Sequence, residues 1–479
     1  MNLLKLYYLI YFKKIKPFDL SRFILKKIEN SLFKNYFINI DYNYIKKQCL
    51  YSEKLLLKNK NNLLTGIPTT YKDVFSTKSI NTTAGSRILK NYNIFYNATF
   101  LNKLNNLGVI NIGKSNMDEF CVGSNTFNFY FGKTENPLNK NFTTGGSSGG
   151  SVYLVSKNLL PFSIGSDTGG SVRQPALFNN VIGFKPTYGL ISRYGMFSYS
   201  SSLDTIGIFS KNILNISIIL NSVTGFDIKD QTTFNLTKED YTRYLNKNWL
   251  LNKINYKKLI GLNVGVSKNF FNNIYNFSVR SNMEDVLLNF EFLGAKIIFI
   301  NILFFDFINI IYNIISSSEL YSNISKYNNK FLFDKICFFL NKKTFFNSLS
   351  INTKNKFFIG NYLISSNKKK KFFFLSKKIR ILILENFKKI FTICDIIITP
   401  TISCNNWNFL DFNLNKNFID KYTSVSNLIG LPSVSLPSKI LYYKSFKFFQ
   451  GFQIIGNYFS EARLIQIINE YEKNFFKCF

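Results

Sequence analysis

Two segments rich in serine and glycine are the first part of this sequence that could carry out a chemical reaction. They are residues 145–151 and 165–171, and the chain that contains them has no histidine. A serine hydroxyl becomes a nucleophile only when a base removes its proton, and the usual base is an imidazole. The base in this chain must therefore be another kind of side chain.

Lys72 is our candidate for that base. It lies in the segment 66–73, where mostly uncharged residues lead up to a single Lys-Asp step. A lysine acts as a base only when it is neutral, so its pKa must fall by roughly three units from about 10.4. Burial can supply the corresponding ~4 kcal/mol. The plainer interpretation is an exposed lysine, of which this chain has many.

The second of the two segments predicts a site for a developing negative charge. A strand that ends near Asp167 and a helix that starts near Ser171 would direct the N–H groups of Thr168, Gly169, Gly170 and Ser171 into one concavity. The alternative is a phosphate-binding loop, but neither segment is followed by the Lys-Ser/Thr pair of such loops. We therefore interpret Thr168, Gly169 and Gly170 as an oxyanion hole.

The net charge of the chain does not identify its partners. The sequence has 479 residues and a net charge of +33, which ordinarily favours nucleic-acid binding. Lys, Asn, Ile, Phe and Tyr dominate throughout, however, and all have A/T-rich codons, so a biased genome explains the charge equally well. We interpret the one tight basic cluster, residues 368–371, as a solvated loop.

The remaining composition indicates a cytoplasmic protein without a metal. The six cysteines form no C-x-x-C pair, which is typical of reduced thiols, and with no histidine present a zinc site is not expected. No apolar run reaches the ~18 residues that a membrane helix needs. The opening residues 1–12 are interpreted as the start of a helix and not as a signal sequence.

The elements around the two serine segments alternate between strands and helices, which favours an α/β fold with a largely buried sheet. We expect an N-terminal helical segment over residues 1–60 and one domain over 61–479. The pattern predicts strands over residues 109–113, 160–165, 296–301, 395–399 and 448–455. It predicts helices over residues 44–58, 148–156, 282–293, 375–393 and 460–473, and one from Ser171 with Pro175 in its first turn.

Lys72, Ser147 and Ser171, together with both glycine segments, resemble the amidase signature family from about residue 66 to 475. The resemblance implies that family's α/β fold, a large mixed twisted sheet covered by helices on both faces. It also implies a Ser-cisSer-Lys triad, in which Ser171 is the nucleophile and Ser147, reached through a cis peptide bond, relays its proton to Lys72.

Further segments are similar to one branch of that family, the A subunits of the glutamyl-tRNA(Gln)/aspartyl-tRNA(Asn) amidotransferases. They are residues 115–120, 171–176, 185–189, 192–195, 202–204 and 453–456. By this resemblance Arg380 holds the α-carboxylate of glutamine and Asp420 holds its α-amino group, roles that suit a guanidinium and a carboxylate. The chain departs from the family at Thr144, where proline is usual, and at residues 152–154, where small residues are usual.

The resemblance implies a glutaminase subunit of a heterotrimer with no cofactor of its own. Its ammonia would pass to the B subunit of the amidotransferase, which would use ATP and Mg to convert Glu-tRNA(Gln) to Gln-tRNA(Gln), with Asp-tRNA(Asn) as a further substrate; the C subunit would complete the complex. Misacylated tRNA would reach this chain only through the partner, and no membrane is involved. Two alternatives stay open, a stand-alone amidase for other small amides and a non-catalytic RNA-binding or scaffold protein.

Overall fold

One mixed sheet organises the chain. The computed structural model describes residues 2–29, 35–246, 258–272, 274, 276–328, 342–403, 420–443 and 446–475. The strands in these ranges are β1 (Phe37–Asn39), β2 (Pro68–Lys72), β3 (Ile110–Ser115), β4 (Phe127–Asn128), β5 (Gly132–Lys133), β6 (Phe162–Asp167), β7 (Ile182–Lys185), β8 (Thr205–Ser210), β9 (Asn263–Ser267), β10 (Lys296–Ile300), β11 (Ile396–Pro400), β12 (Ser433–Tyr443) and β13 (Phe446–Gly456).

The helices of the described ranges are likewise numbered in chain order. They are α1 (Leu3–Tyr11), α2 (Pro17–Glu29), α3 (Tyr42–Leu57), α4 (Thr99–Asn106), α5 (Gly149–Ser156), α6 (Arg173–Phe178), α7 (Ile213–Val223), α8 (Arg243–Asn246), α9 (Lys268–Asn272), α10 (Phe277–Phe292), α11 (Ile308–Ser325), α12 (Lys342–Ser348), α13 (Ile351–Ile364), α14 (Ser366–Lys369), α15 (Leu375–Ile390), α16 (Lys421–Leu428) and α17 (Glu461–Phe475).

The large sheet has eleven strands in the order β1-β3-β2-β6-β8-β7-β12-β13-β11-β9-β10, and β4 and β5 form a separate hairpin. Strand β2 pairs in parallel with β3 and β6, whereas β6 and β8 run antiparallel. The ends of β2 and β6 therefore lie at one edge of the sheet, and Lys72 and Asp167 stand at those ends.

Apolar side chains fill both faces of this sheet. Ile396 and Ile398 of β11 belong to one buried cluster, and Ile397 between them belongs to another. Successive side chains of a strand point to opposite faces, so the two clusters lie on opposite sides of the sheet. The predicted α/β class and the mixed sheet with helices on both faces are confirmed.

Most predicted elements are present, with ends shifted by a few residues. The largest shift is at α10, which begins at Phe277 rather than at residue 282 because the Asn276 side chain accepts from the N–H groups of Ser278 and Val279 and so caps an earlier turn. The helix after Ser171 starts at Arg173 and carries Pro175 in its first turn, as predicted.

The prediction of a loop over residues 368–371 is wrong. This stretch is helical, since α14 continues through a π-helical segment, Lys370–Phe374, into α15. Lysine has a high helix propensity, and the charged groups still reach solvent because Lys369, Lys370 and Lys371 are exposed.

The N-terminal segment packs on the main sheet. Strand β1 pairs antiparallel with β3, and Leu3, Leu6 and Ile10 of α1 belong to the same apolar cluster as Tyr71 of β2. The predicted start at residues 1–12 is indeed a helix. A domain boundary at residue 60 stays a prediction.

Candidate active site

Lys72 is fully buried at the end of β2, and its ammonium nitrogen is surrounded by hydroxyl groups. Its Nζ lies 2.7 Å from Ser147 Oγ, 3.0 Å from Ser148 Oγ and 2.9 Å from Ser166 Oγ. No carboxylate of the described residues forms an ion pair with Lys72. Each of these three hydroxyl oxygens can accept a hydrogen bond from Lys72 Nζ.

The first glycine segment turns the chain toward Lys72. Gly145 and Gly146 have φ values of +71° and +58°, a conformation that favours glycine, and a Cβ on Gly145 would lie 2.3 Å from the ring of Phe178. The described residues contain no cis peptide bond, so the linkage before Ser147 is trans. The expectation of a cis bond there is wrong for this structure, because the two left-handed glycines already bring the Ser147 hydroxyl to Lys72.

Ser171 meets the first segment at the mouth of the site. Its Oγ accepts a hydrogen bond from the backbone N–H of Ser147 at 3.3 Å, and its side chain is partly exposed. Lys72, Ser147 and Ser171 thus form a continuous set of contacts, and their roles as base, relay and nucleophile stay predictions. The last contact uses the N–H of Ser147, so a proton relay requires the Ser171 hydroxyl to turn toward Ser147 Oγ.

The second glycine segment wraps around the Asp167 carboxylate. Asp167 accepts from the N–H groups of Gly170 (2.9 Å) and Val172 (3.0 Å). The Gly170 N–H is therefore occupied, whereas in the described structure no group accepts from the N–H of Gly169 or Ser171. The oxyanion role of Thr168, Gly169 and Gly170 stays a prediction, with Gly169 and Ser171 offering the free donors.

A buried guanidinium holds this segment in place. Arg173 binds Asp167 through Nε (3.1 Å) and Nη2 (2.9 Å), and its remaining donors reach Ser426, Asn427 and Gln453 at 2.6–2.9 Å. Burial alone would raise the pKa of Asp167, but the Arg173 charge and hydrogen bonds lower it to about 2. An ionised Asp167 thus fixes the backbone on either side of Ser171.

Asp204 forms a hydrogen bond with Thr168, at the other end of the same segment. Its carboxylate accepts from Thr168 Oγ1 at 2.7 Å and from the N–H groups of Tyr199 and Ser200 at 2.9 and 3.0 Å. Burial raises the pKa of Asp204 to about 7, although these hydrogen bonds oppose the rise. Of the two carboxylates that hold the segment, only this one changes its charge near neutral pH.

A cavity of about 180 Å³ opens in front of Ser171. This is below the ~300–1,000 Å³ of pockets for drug-sized ligands, and a volume of this kind suits a substrate the size of an amino acid. Its wall includes Gly169, and a Cβ there would lie 2.5 Å from Tyr312, which lines the cavity from α11. It also includes Ser124, whose buried Oγ has no hydrogen-bond partner among the described residues.

Among the described residues, Lys356 and Asp420 are the two charged residues that line this cavity. Lys356 Nζ contacts Tyr199 Oη at 2.7 Å and Asn313 Oδ1 at 3.2 Å, and Asp420 Oδ1 accepts from Gln174 Nε2 at 2.8 Å. The structure thus brings the predicted Asp420 to the cavity with Ser171. Lys356 was not anticipated, because nothing in the sequence distinguishes it from the other lysines.

Arg380, the other predicted substrate residue, is not among the residues that line the cavity. Its guanidinium donates to Ser202 Oγ at 3.0 Å, to the Ser202 carbonyl at 3.1 Å and to the Leu428 carbonyl at the end of α16. Its role with the substrate carboxylate stays a prediction.

Sequence reasoning also missed residues that support the triad. Ser148 and Ser166 contact Lys72, and both lie within the serine-rich segments, whose unusual hydroxyl content was the available signal. Cys121 Sγ lies 3.4 Å from Ser166 Oγ, and nothing in the sequence marked it. In the described ranges no cluster of acidic or cysteine side chains could hold a metal ion, and no helix is long and apolar enough to span a membrane.

Comparison with known proteins gives consistent matches along the whole chain. The sequence profile of the family described as Amidase matches residues 22–465. The A subunit of the glutamyl-tRNA(Gln) amidotransferase of Paraburkholderia phymatum is 34% identical over 470 residues, which is 96% of this chain and 95% of that protein. The protein of the same name from Paraburkholderia phytofirmans is 34% identical over 469 residues, 96% and 94% of the two chains.

Solved structures agree with these matches. The crystal structure of the glutamyl-tRNA(Gln) amidotransferase A subunit from Thermotoga maritima superposes with a TM-score of 0.75 and 29% identity, covering 95% of this chain and 91% of that one. An amidase crystal structure superposes with a TM-score of 0.81 at 21% identity, covering 99% of this chain and all (100%) of that one, and this likeness concerns the fold alone.

Proposed function

The chain belongs to the amidase family, and we propose that within it this protein is the glutamine-hydrolysing A subunit of a tRNA-dependent amidotransferase. The observation that carries the proposal is the cavity in front of Ser171, which has the size for an amino acid and presents one ammonium, Lys356, and one carboxylate, Asp420. A free amino acid carries the complementary pair of charges. The relatives that match almost the full chain bear this name, which supports the same proposal.

The first half of the reaction forms an acyl-enzyme. Neutral Lys72 takes the proton of Ser147, Ser147 takes that of Ser171, and Ser171 Oγ attacks the carboxamide carbon of glutamine. The N–H groups of Gly169 and Ser171 stabilise the oxyanion of the tetrahedral intermediate. The carbon–nitrogen bond then breaks, and the proton held by Lys72 returns through Ser147 to the departing ammonia.

The second half releases glutamate. Water attacks the ester on Ser171 while the same chain of groups removes one of its protons, and the Ser171 hydroxyl is restored as the acid leaves. Lys356 opposite the α-carboxylate and Asp420 opposite the α-ammonium hold the amino-acid end fixed through both steps, and Arg380, which the resemblance gives for the carboxylate, is the alternative to Lys356.

The physiological use of the ammonia extends this proposal to two partner proteins. The B subunit would bind ATP and Mg, activate the misacylated tRNA and receive the ammonia, and the C subunit would complete a cytoplasmic heterotrimer. The product would be Gln-tRNA(Gln), with Asn-tRNA(Asn) as the alternative or additional product. This chain itself would bind no cofactor.

Replacement of the nucleophile tests the proposal. We expect Ser171→Ala to lower glutamine hydrolysis by about 10³-fold or more, because the variant lacks the hydroxyl that attacks the carboxamide. In the complex, free ammonium should restore tRNA amidation to this variant. Unchanged glutamine turnover in Ser171→Ala would refute the assignment, and faster hydrolysis of propionamide than of glutamine by the wild type would favour a stand-alone amidase.

A further inference from the structure

We propose that Glu119 is a positioning residue that sets the place of Lys356 at the cavity and thereby the preference for substrates with an α-carboxylate. The inference rests on the proposed function, since it concerns how the same cavity selects glutamine. Glu119 touches neither the cavity nor the triad, and it acts through the helix that carries Lys356.

Glu119 joins two parts of the chain that are far apart in sequence. One carboxylate oxygen accepts from Ser86 Oγ at 2.6 Å, and the other accepts from the backbone N–H of Ser350 at 2.8 Å. The side chain is buried, with 6% of its surface exposed. A buried carboxylate with one short hydrogen bond on each oxygen holds both partners in one geometry.

Ser350 is the N-cap residue of α13, immediately before its first residue. Its own hydroxyl accepts from the N–H of Thr353, so the bond from its backbone to Glu119 fixes the first turn of the helix. Farther along, Gly360 lies so close to α11 that a Cβ would stand 2.1 Å from the Ser317 carbonyl. Lys356 lies between these two fixed points.

Glu119 also lies next to residues that line another part of the cavity wall. Glu119 and Cys121 are the ends of one short 3₁₀ turn, and residues 121–124 line the cavity. The carboxylate therefore joins the wall that contains Ser124 to the helix that contains Lys356. Displacement of α13 would move the ammonium relative to Tyr199 and Asn313, its present partners, and so relative to the substrate carboxylate.

A double-mutant cycle tests this role in the full-length protein. Glu119→Gln keeps the shape of the side chain but places an amide N–H₂ opposite one of two donors, so one of the two bonds is lost. We expect this variant to raise KM for glutamine by about 10-fold with little change in kcat, and to leave kcat/KM for propionamide, which has no carboxylate, within about two-fold. Exposed Glu284→Gln is the matched control and should change neither.

The cycle is completed with Lys356→Ala alone and with the double variant. If Glu119 acts through Lys356, the double variant should be no worse with glutamine than Lys356→Ala, so the two effects should not multiply. Multiplied effects, or an equal loss of kcat for both amides in Glu119→Gln, would overturn the inference. If Glu119→Gln does not fold, Ser86→Ala removes one partner of the same carboxylate and should show a smaller rise of KM for glutamine only.

These outcomes separate the inference from the proposed function. Absence of glutamine hydrolysis in the wild type would remove the proposed function itself. Wild-type glutamine hydrolysis with multiplied effects in the double variant would leave the function standing and remove only the role of Glu119.

Discussion

The two sides of the catalytic cavity are built in opposite ways. On the side of the proposed nucleophile, the nucleophile side, Lys72, Ser147 and the Asp167 carboxylate are fully buried, and each is hydrogen-bonded. On the facing side, α11 and α13 contribute amide side chains and Lys356, and Asn352 and Asn355 on α13 are exposed. The first side is a buried polar network, and the second is a surface formed by two packed helices.

This difference separates the chemistry of the site from its selectivity. Buried polar groups must be satisfied, so the nucleophile side admits few other arrangements without a large loss of free energy. The helical side can change its side chains at low cost because its polar groups reach water. We therefore expect substitutions on the nucleophile side to affect stability and all amide substrates, and those on the helical side to affect KM for particular substrates.

The largest effect should come from the buried ion pair behind the nucleophile. Arg173→Met leaves the Asp167 charge buried without its partner, and we expect the free energy of unfolding to fall by about 3–5 kcal/mol. Urea denaturation measures this loss. The double variant with Asp167→Asn carries no lone buried charge and should recover part of it; a loss below about 1 kcal/mol in Arg173→Met would contradict the distinction between the two sides.

The pH dependence of the free energy of unfolding should reveal the titration of Asp204, which lies on the nucleophile side. Its folded-state pKa of about 7 lies above the ordinary 3.8, so the folded state retains a proton that the unfolded state loses. The stability from this group is complete below pH ~4 and disappears as the pH rises through about 7, roughly 2–3 kcal/mol between pH 5 and 8. Asp204→Asn should flatten that slope in urea denaturation at several pH values, whereas exposed Asp285→Asn should leave it unchanged.

The smallest of these effects should appear on the helical side. It is measured by replacing two cationic side chains, Lys356 and Arg380, one at a time. We expect Lys356→Ala to raise KM for glutamine by about 10- to 100-fold, the equivalent of one lost charge-assisted hydrogen bond, with stability nearly unchanged. Arg380→Ala should instead lower the melting temperature, because its guanidinium binds the carbonyls of Ser202 and Leu428. A larger rise of KM in Arg380→Ala than in Lys356→Ala would assign the substrate carboxylate to Arg380.

The sequence predicted the nucleophile side well because its groups come from short segments with unusual composition. The absence of histidine, the two serine-glycine segments and the position of Lys72 pointed to this region, and the family resemblance singled out Lys72, Ser147 and Ser171, which the structure places in contact. The resemblance also singled out Asp420, which the structure places at the cavity, and Arg380, which it does not, since counting along a sequence does not show which face of a helix meets the cavity.

The sequence alone determined the α/β class, and its residue types and spacing pointed to a serine and a lysine in place of imidazole as the reactive groups, whose roles stay predictions. Only the tertiary structure decided that the bond before Ser147 is trans, that the Gly170 N–H is occupied by Asp167, and that Lys356 lines the same cavity as Ser171. The physical reason is that these features depend on backbone dihedral angles and on contacts between distant elements. A pattern of neighbouring residues specifies neither.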